Sequence, residues 1–194
     1  DKKDIYVTIN ITEGKPYIIQ DVQLTGDFGV VPEDDVHKLI TIKPGETFSR
    51  AKVTETAKAV SERLGEDGYA FANVNTVPKI DDETQKVALN FVVDPGKRVY
   101  VRRINFQGNM KTQDEVLRRE MRQTEGSWFS TKDIERSKTR LQRLDYLESI
   151  NVETPAVPGT NDQVDANYTV VERPSGSLMF GVGYGQESGV LLNV

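Results

Sequence analysis

Val22-Gln23-Leu24-Thr25-Gly26-Asp27 and, further on, Ile104-Asn105-Phe106-Gln107-Gly108-Asn109 share one pattern: apolar and polar residues alternate, then stop at Gly followed by Asp or Asn. Period-two alternation marks a half-buried strand, and Gly-Asp or Gly-Asn marks a turn. The two glycines stand 108 − 26 = 82 residues apart, and Gly14-Lys15 and Gly96-Lys97 upstream are spaced by 96 − 14 = 82 as well. Downstream, Ile42-Lys43-Pro44-Gly45-Glu46-Thr47-Phe48-Ser49 faces Gln123-Thr124-Glu125-Gly126-Ser127-Trp128-Phe129-Ser130, and Tyr69–Val74 faces Tyr146–Val152. Val87, Leu89, Phe91 and Val93 face Val164, Ala166, Tyr168 and Val170. The whole order of features recurs, so the chain is an internal repeat.

Each copy reads β-α-α-β-β. The first helix is short. In copy two Thr112 with Glu115 has the spacing of a capping box, and in copy one Pro32 before Glu33-Asp34-Asp35 suits a helix start. The second helix carries Val53, Ala57, Val60 and Leu64 on one face, matched by Ile134, Ser137, Leu141 and Leu144. Ser49 and Ser130 stand where an N-cap belongs, with Asp133 to complete a box. Two strands close each copy, and Pro78 and Pro155 are expected to end the first of them. The expected fold is α+β: a three-stranded mixed sheet per copy, covered on one face by two helices. The copies span 14–95 and 96–172. Residues 1–13, with Ile5, Val7, Ile9 and Ile11 alternating, look like the last strand of a preceding copy. Such a strand, without its module, is expected to stay mobile or add to a neighbouring molecule. In 173–194, Phe180, Val182 and Tyr184 alternate with glycine, as in a transmembrane β-barrel strand or a flexible Gly-rich tail. The chain starts at Asp1 without a signal peptide and reads as an excised piece.

Composition narrows the chemistry. Among 194 residues there is no Cys and one His, which excludes disulfides, thiolate catalysis and multi-His metal sites. The net charge of −5 gives no reason to expect nucleic acid. No apolar run is long enough for a membrane-spanning helix. His37, beside Val36, Leu39 and Ile40, reads as an ordinary helix residue rather than a general base. Asp34-Asp35 and Asp81-Asp82-Glu83 read as a helix start and a solvated loop. Pro44-Gly45 and Glu125-Gly126 lack a phosphate-cradling pattern. Charge is uneven: residues 97–146 hold 13 Lys and Arg against 7 Asp and Glu, a local 13 − 7 = +6, while the remainder carries 12 − 23 = −11. Arg118, Arg119, Arg122, Arg136, Lys138, Arg140 and Arg143 place that charge on the helices of copy two, as a surface for an acidic partner or lipid headgroups or as a solvated helix face. An open sheet also has edges, which offer backbone donors and acceptors to an extended chain.

The βααββ repeat with Gly-Asn after its first strand resembles the POTRA (polypeptide-transport-associated) family. Val116-Leu117-Arg118-Arg119-Glu120-Met121-Arg122-Gln123-Thr124-Glu125-Gly126-Ser127-Trp128 resembles the membrane-proximal module of the outer-membrane protein assembly factors within it. Phe180-Gly181-Val182-Gly183-Tyr184-Gly185-Gln186-Glu187-Ser188-Gly189 resembles the first strand of their barrel. The resemblance covers essentially the whole chain. It implies the fourth and fifth of five periplasmic modules of a Gram-negative outer-membrane protein, with no enzymatic activity and no cofactor. It implies unfolded outer-membrane proteins as clients, the lipoprotein BamD and its companions as partners, and a periplasmic chaperone as a further one. In such modules the second strand is the exposed edge, here Ala70-Phe71-Ala72-Asn73-Val74-Asn75-Thr76-Val77 and, in copy two, Ser149–Thr154. The docking motif matches Glu125 and Arg118, with Arg122 and Trp128 beside them; Glu125 is expected to pair across the interface, and Trp128 to anchor it or to pack between the helices. A related secretion pore with a dedicated substrate is the alternative, and a small hydrolase using His37 is a third reading.

Overall fold

The computed structural model describes residues 15–174, together with the backbone of Gly181–Gly185 and Gly189–Asn193. The chain divides into two compact units between Gly96 and Lys97. The first contains β1 (Ile18–Gly26), α1 (Glu33–His37), α2 (Arg50–Glu66), β2 (Asn73–Asp81) and β3 (Lys86–Asp94). The second contains β4 (Tyr100–Gln107), α3 (Asp114–Arg118), α4 (Thr131–Gln142), β5 (Leu147–Glu153) and β6 (Gln163–Glu172). Both sheets have the same mixed topology. In the order β1-β3-β2 the last strand is central, parallel to β1 and antiparallel to β2; β4-β6-β5 repeats this. The α+β architecture expected from the repeat is therefore present twice.

Alternation on the central strands builds the cores. Val87, Leu89, Phe91 and Val93 are buried on β3, as are Val164, Ala166, Tyr168 and Val170 on β6. In the first unit α2 covers that face with Val53, Val60 and Leu64. Burying a side chain such as Phe91 contributes about 1.5–3 kcal/mol. In both units the first strand bulges early, with register shifts between Ile19 and Asp21 and between Val101 and Arg103. At its end the backbone passes so near the central strand that only glycine fits. Gly26 has φ +117° and Gly108 φ +85°, and a Cβ on either would strike a carbonyl oxygen, of Val93 or of Val170.

Local details differ from expectation, each for a tertiary reason. Pro78 does not end β2, which continues to Asp81 with Pro78 opposite Leu89. On an edge strand every second N–H points away from the ladder, so a proline there removes no ladder bond. Ala70, Phe71 and Ala72 precede the strand: the Ala72 N–H donates to the Tyr69 carbonyl, and Ser61 Oγ donates to the Ala72 carbonyl. Thr112 does not cap α3, whose N-cap is Gln113; instead the Thr112 N–H donates to Glu172 at 2.7 Å. Ser49 and Ser130 do cap α2 and α4. Asp133 does not complete the box, because Gln123 Oε1 takes the Ser130 N–H at 2.9 Å and Asp133 pairs with Arg136. Near the end of the chain β7 (Gly181–Gly185) and β8 (Gly189–Asn193) form an antiparallel pair. Val182 and Tyr184 lie on β7; Phe180 and residues 1–13 fall outside the described residues.

Candidate docking and strand-pairing surfaces

The loop from α3 to α4 is fixed from beneath by two buried polar side chains. Gln123 is 2% exposed. Its Nε2 donates to Ser127 Oγ at 2.7 Å and to the Trp128 carbonyl at 3.0 Å, while its Oε1 accepts from the Ser130 N–H. Ser137, fully buried on α4, accepts from the Arg122 N–H at 2.8 Å and donates to the Asp133 carbonyl at 2.6 Å. Buried polar groups that satisfy one another fix a single loop conformation. Neither residue stood out as a functional candidate in the sequence. The available signal was a polar Gln123 where the other copy has apolar Ile42.

Held in this way, the loop lies along the outer edge of β4. The Val101 N–H donates to the Ser127 carbonyl at 2.9 Å, Gly126 N–H to the Val101 carbonyl at 2.7 Å, and Phe129 N–H to the Val99 carbonyl at 2.9 Å. Glu125 and Arg118, brought together from the loop and from α3, sit just beyond. Glu125 Oε1 accepts from the Ile104 N–H at 2.8 Å and from Arg118 at 3.1 Å, and Arg118 also donates to the Ile104 carbonyl at 2.8 Å and to Asp114. Of the causes that hold the Glu125 carboxyl below its ordinary pKa, the Ile104 N–H is first and Arg118 follows. Trp128 stands apart from this pair and is 52% exposed, so it does not pack between the helices. Its ring lies 4.3 Å from the Arg98 guanidinium and edge-on to Tyr100. Arg122 is exposed, and only its backbone is tied, to Ser137.

The basic helical layer is partly neutralised. Arg140 pairs with Glu120 at 2.6 Å, Arg119 with Glu120 at 3.5 Å, Arg136 with Asp133 at 3.6 Å and Lys138 with Glu135 at 4.0 Å. Among the described residues the guanidinium groups of Arg122 and Arg143 carry no ion pair. His37 pairs with Glu33 at 3.3 Å on the surface. No cluster of three or more metal-ligating side chains occurs among the described residues, and no helix there is long and apolar enough to cross a membrane.

The second surface is the edge of β2 in the first unit. Between it and α2 runs a groove of about 500 Å³ lined by Phe48, Val53, Ala57, Val74, Thr76 and Pro78, among others. Pro78 fixes the orientation of this edge: Val74, Thr76 and Ile80 share its parity, so their N–H groups point outward. The β1 edge is less open, because loop residues Gly45–Phe48 bond to Tyr17 and Ile19.

Two copies of one βααββ unit, each a three-stranded mixed sheet with two helices, define a tandem α+β repeat. The chain belongs to the POTRA family, whose sequence pattern, described as a surface antigen variable number repeat, matches residues 17–96 and 99–173. Within that family it is homologous to the outer-membrane protein assembly factor BamA. It is 34% identical to BamA of Neisseria meningitidis serogroup B over 100% of this chain and 24% of that protein. It is 37% identical to BamA of Buchnera aphidicola over 100% of this chain and 31% of that protein. The chain thus spans about a quarter to a third of these relatives. Among solved structures, Haemophilus influenzae BamA POTRA3-5 matches with a TM-score of 0.76 and 35% identity, over 80% of this chain and 61% of that one. BamA from Haemophilus ducreyi lacking POTRA domains 1–3 matches with a TM-score of 0.69 and 40% identity, over 90% of this chain and 33% of that one. The modules are accordingly the periplasmic part of an outer-membrane protein.

Proposed function

We propose that the two modules are a non-enzymatic scaffold and client receptor of the outer-membrane β-barrel assembly machine. They are read as the fourth and fifth modules, 14–95 and 96–172, followed by a linker and the first barrel strand with Phe180, Val182 and Tyr184. Residues 1–13 are read as the end of the third module. The relatives named above are assembly factors, which favours this reading over a pore dedicated to one substrate and over a hydrolase. The observation that carries client binding is the open antiparallel edge of β2 beside an apolar groove. A chain added there is held by main-chain bonds, which tolerate many client sequences.

The second module docks a lipoprotein, BamD, through Glu125, Arg118, Arg122 and Trp128. Glu125 and Arg118 are 44% and 42% exposed, and an exposed Trp beside charged groups is suited to anchor an interface. Charge reversal, Glu125→Lys, should abolish co-purification with BamD. Undiminished recovery of BamD with the variant would remove Glu125 from the interface.

A further inference from the structure

Among the described residues, the outer edge of β4 differs from the matching edge of β1 at one position past the bulge, Ile104. β4 pairs in parallel with β6, and in a parallel strand alternate residues turn both N–H and C=O to the same side. The outward residues are Val99, Val101 and, past the bulge, Ile104 and Phe106. The loop backbone serves the first two. Ile104 is served by side chains: the Glu125 carboxylate accepts from its N–H and the Arg118 guanidinium donates to its carbonyl, both at 2.8 Å. Acceptor and donor therefore stand where the carbonyl and N–H of a neighbouring strand would stand, and they bond each other at 3.1 Å.

We infer that the Arg118–Glu125 pair is a latch that closes a strand-acceptor site on β4. When it opens, Ile104 presents a donor and an acceptor to an extended polypeptide. A depression of about 250 Å³, lined by Ile104, Arg118, Met121, Gln123, Thr124 and Glu125, adjoins the latch and has room for a side chain of the incoming strand. The fold does not require this pair. The corresponding positions in the first module are His37 and Pro44, and the Val22 N–H there is taken by the carboxylate of Asp21. Both members of the latch are partly exposed, so a cation can compete for Glu125 without the module unfolding. That a docked lipoprotein supplies the cation rests on the reading above, and it makes docking and strand addition one coupled event.

Amide exchange by NMR on the full chain tests the latch. Glu125→Ala should speed exchange at Ile104 on the order of tenfold, as expected for losing a hydrogen bond to a charged acceptor. Val101 and Ala166, bonded elsewhere, should hold their rates. Glu125→Gln, which keeps an acceptor, should keep Ile104 protected. A soluble peptide of about ten alternating Val and Thr residues, a strand's length, should shift the amides around Ile104 in Arg118→Ala/Glu125→Ala and leave them unmoved in the wild type. Unchanged Ile104 exchange in Glu125→Ala, or equal peptide shifts in wild type and double variant, would overturn the latch. These readouts need no lipoprotein. If they fail while Glu125→Lys still loses BamD, docking stands alone; if they hold while BamD is retained, the latch stands alone.

Discussion

Replacing Gln123 by Leu isolates what the loop owes to one buried amide. The variant keeps the volume but strands the Ser130 N–H, which loses its bond to Oε1, and the Trp128 carbonyl, which keeps only a 3.5 Å contact from Ser127 Oγ. Leaving a buried or half-buried polar group unpaired costs about 1–3 kcal/mol. Ser127 Oγ suffers less, since it also donates to the Thr124 carbonyl at 2.7 Å. Two groups near the lower end of that range, less roughly 1 kcal/mol for the added apolar carbon, give a net loss of about 2 kcal/mol. Trp128 is the only tryptophan and lies in the second module, so its fluorescence reports that module selectively in urea. With a slope of about 1–2 kcal/mol/M for a small module, the midpoint should fall by roughly 1–2 M. Gln123→Ile copies Ile42 of the first module and should behave alike. A midpoint unmoved in both variants would mean that the amide network does not hold the loop, and the reasoning would be wrong.

The Tyr168 hydroxyl is buried close to Ser137, whose own hydroxyl hydrogen goes to the Asp133 carbonyl, and it makes no hydrogen bond of good geometry; Phe91 fills the matching place in the first module, so Tyr168→Phe should be neutral or stabilise the second module by up to about 1 kcal/mol; a clear loss in urea unfolding would reveal a bond between Tyr168 and Ser137. Burial pushes this phenol up to about 12. A folded value above the unfolded value means that the native state holds its proton longer, so this group's contribution is intact below about pH 10 and declines as pH climbs from there towards 12; alkaline unfolding should ease in Tyr168→Phe, and an unchanged alkaline limb would contradict the assignment. Thr76→Pro places a second proline where the N–H faces outward, so it should leave the thermal midpoint within a few degrees (about 1 kcal/mol or less) while abolishing peptide-induced shifts along β2; retained shifts would mean that a peptide is not held there by main-chain pairing through the Thr76 N–H.

The fold was legible because two independent periods agreed in both copies. Val87 to Val93 alternate with period two, Val53 to Leu64 recur with the helical period, and Gly26 and Gly108 mark the close approach to the central strand. What could not be read depended on contacts between distant segments. Thr112 carries a capping signal, but Glu172, sixty residues away, competes for it and takes its N–H. Asp133 is placed to complete a capping box, but Gln123 reaches the Ser130 N–H first. Pro78 signals a strand end, yet its effect depends on which way an N–H points on an edge, and that follows from the pairing register. Arg118 was legible as part of the basic layer, and Glu125 became a candidate only through the resemblance to the family's docking motif. Their bonds to each other and to Ile104 exist only once β4, α3 and the loop are assembled.

On the proposed client-receptor reading, the edge of β2 also limits how tightly a client would be held. Of its outward residues, Val74, Thr76 and Ile80 supply an N–H, while Pro78 supplies only a carbonyl. A client strand pairing along this edge meets a gap in the ladder after Thr76, and its carbonyl opposite Pro78 must stay hydrated or go unpaired. An unpaired group costs about 1–3 kcal/mol once water is excluded. Pairing confined to Val74–Thr76 is therefore favoured over pairing along the whole of β2. On that reading, so short a ladder, supported by the groove beside α2, would hold an extended chain only briefly. On the same client-receptor reading, brief holding would suit release of the client, and Pro78 interrupts an edge that would otherwise be nine residues long.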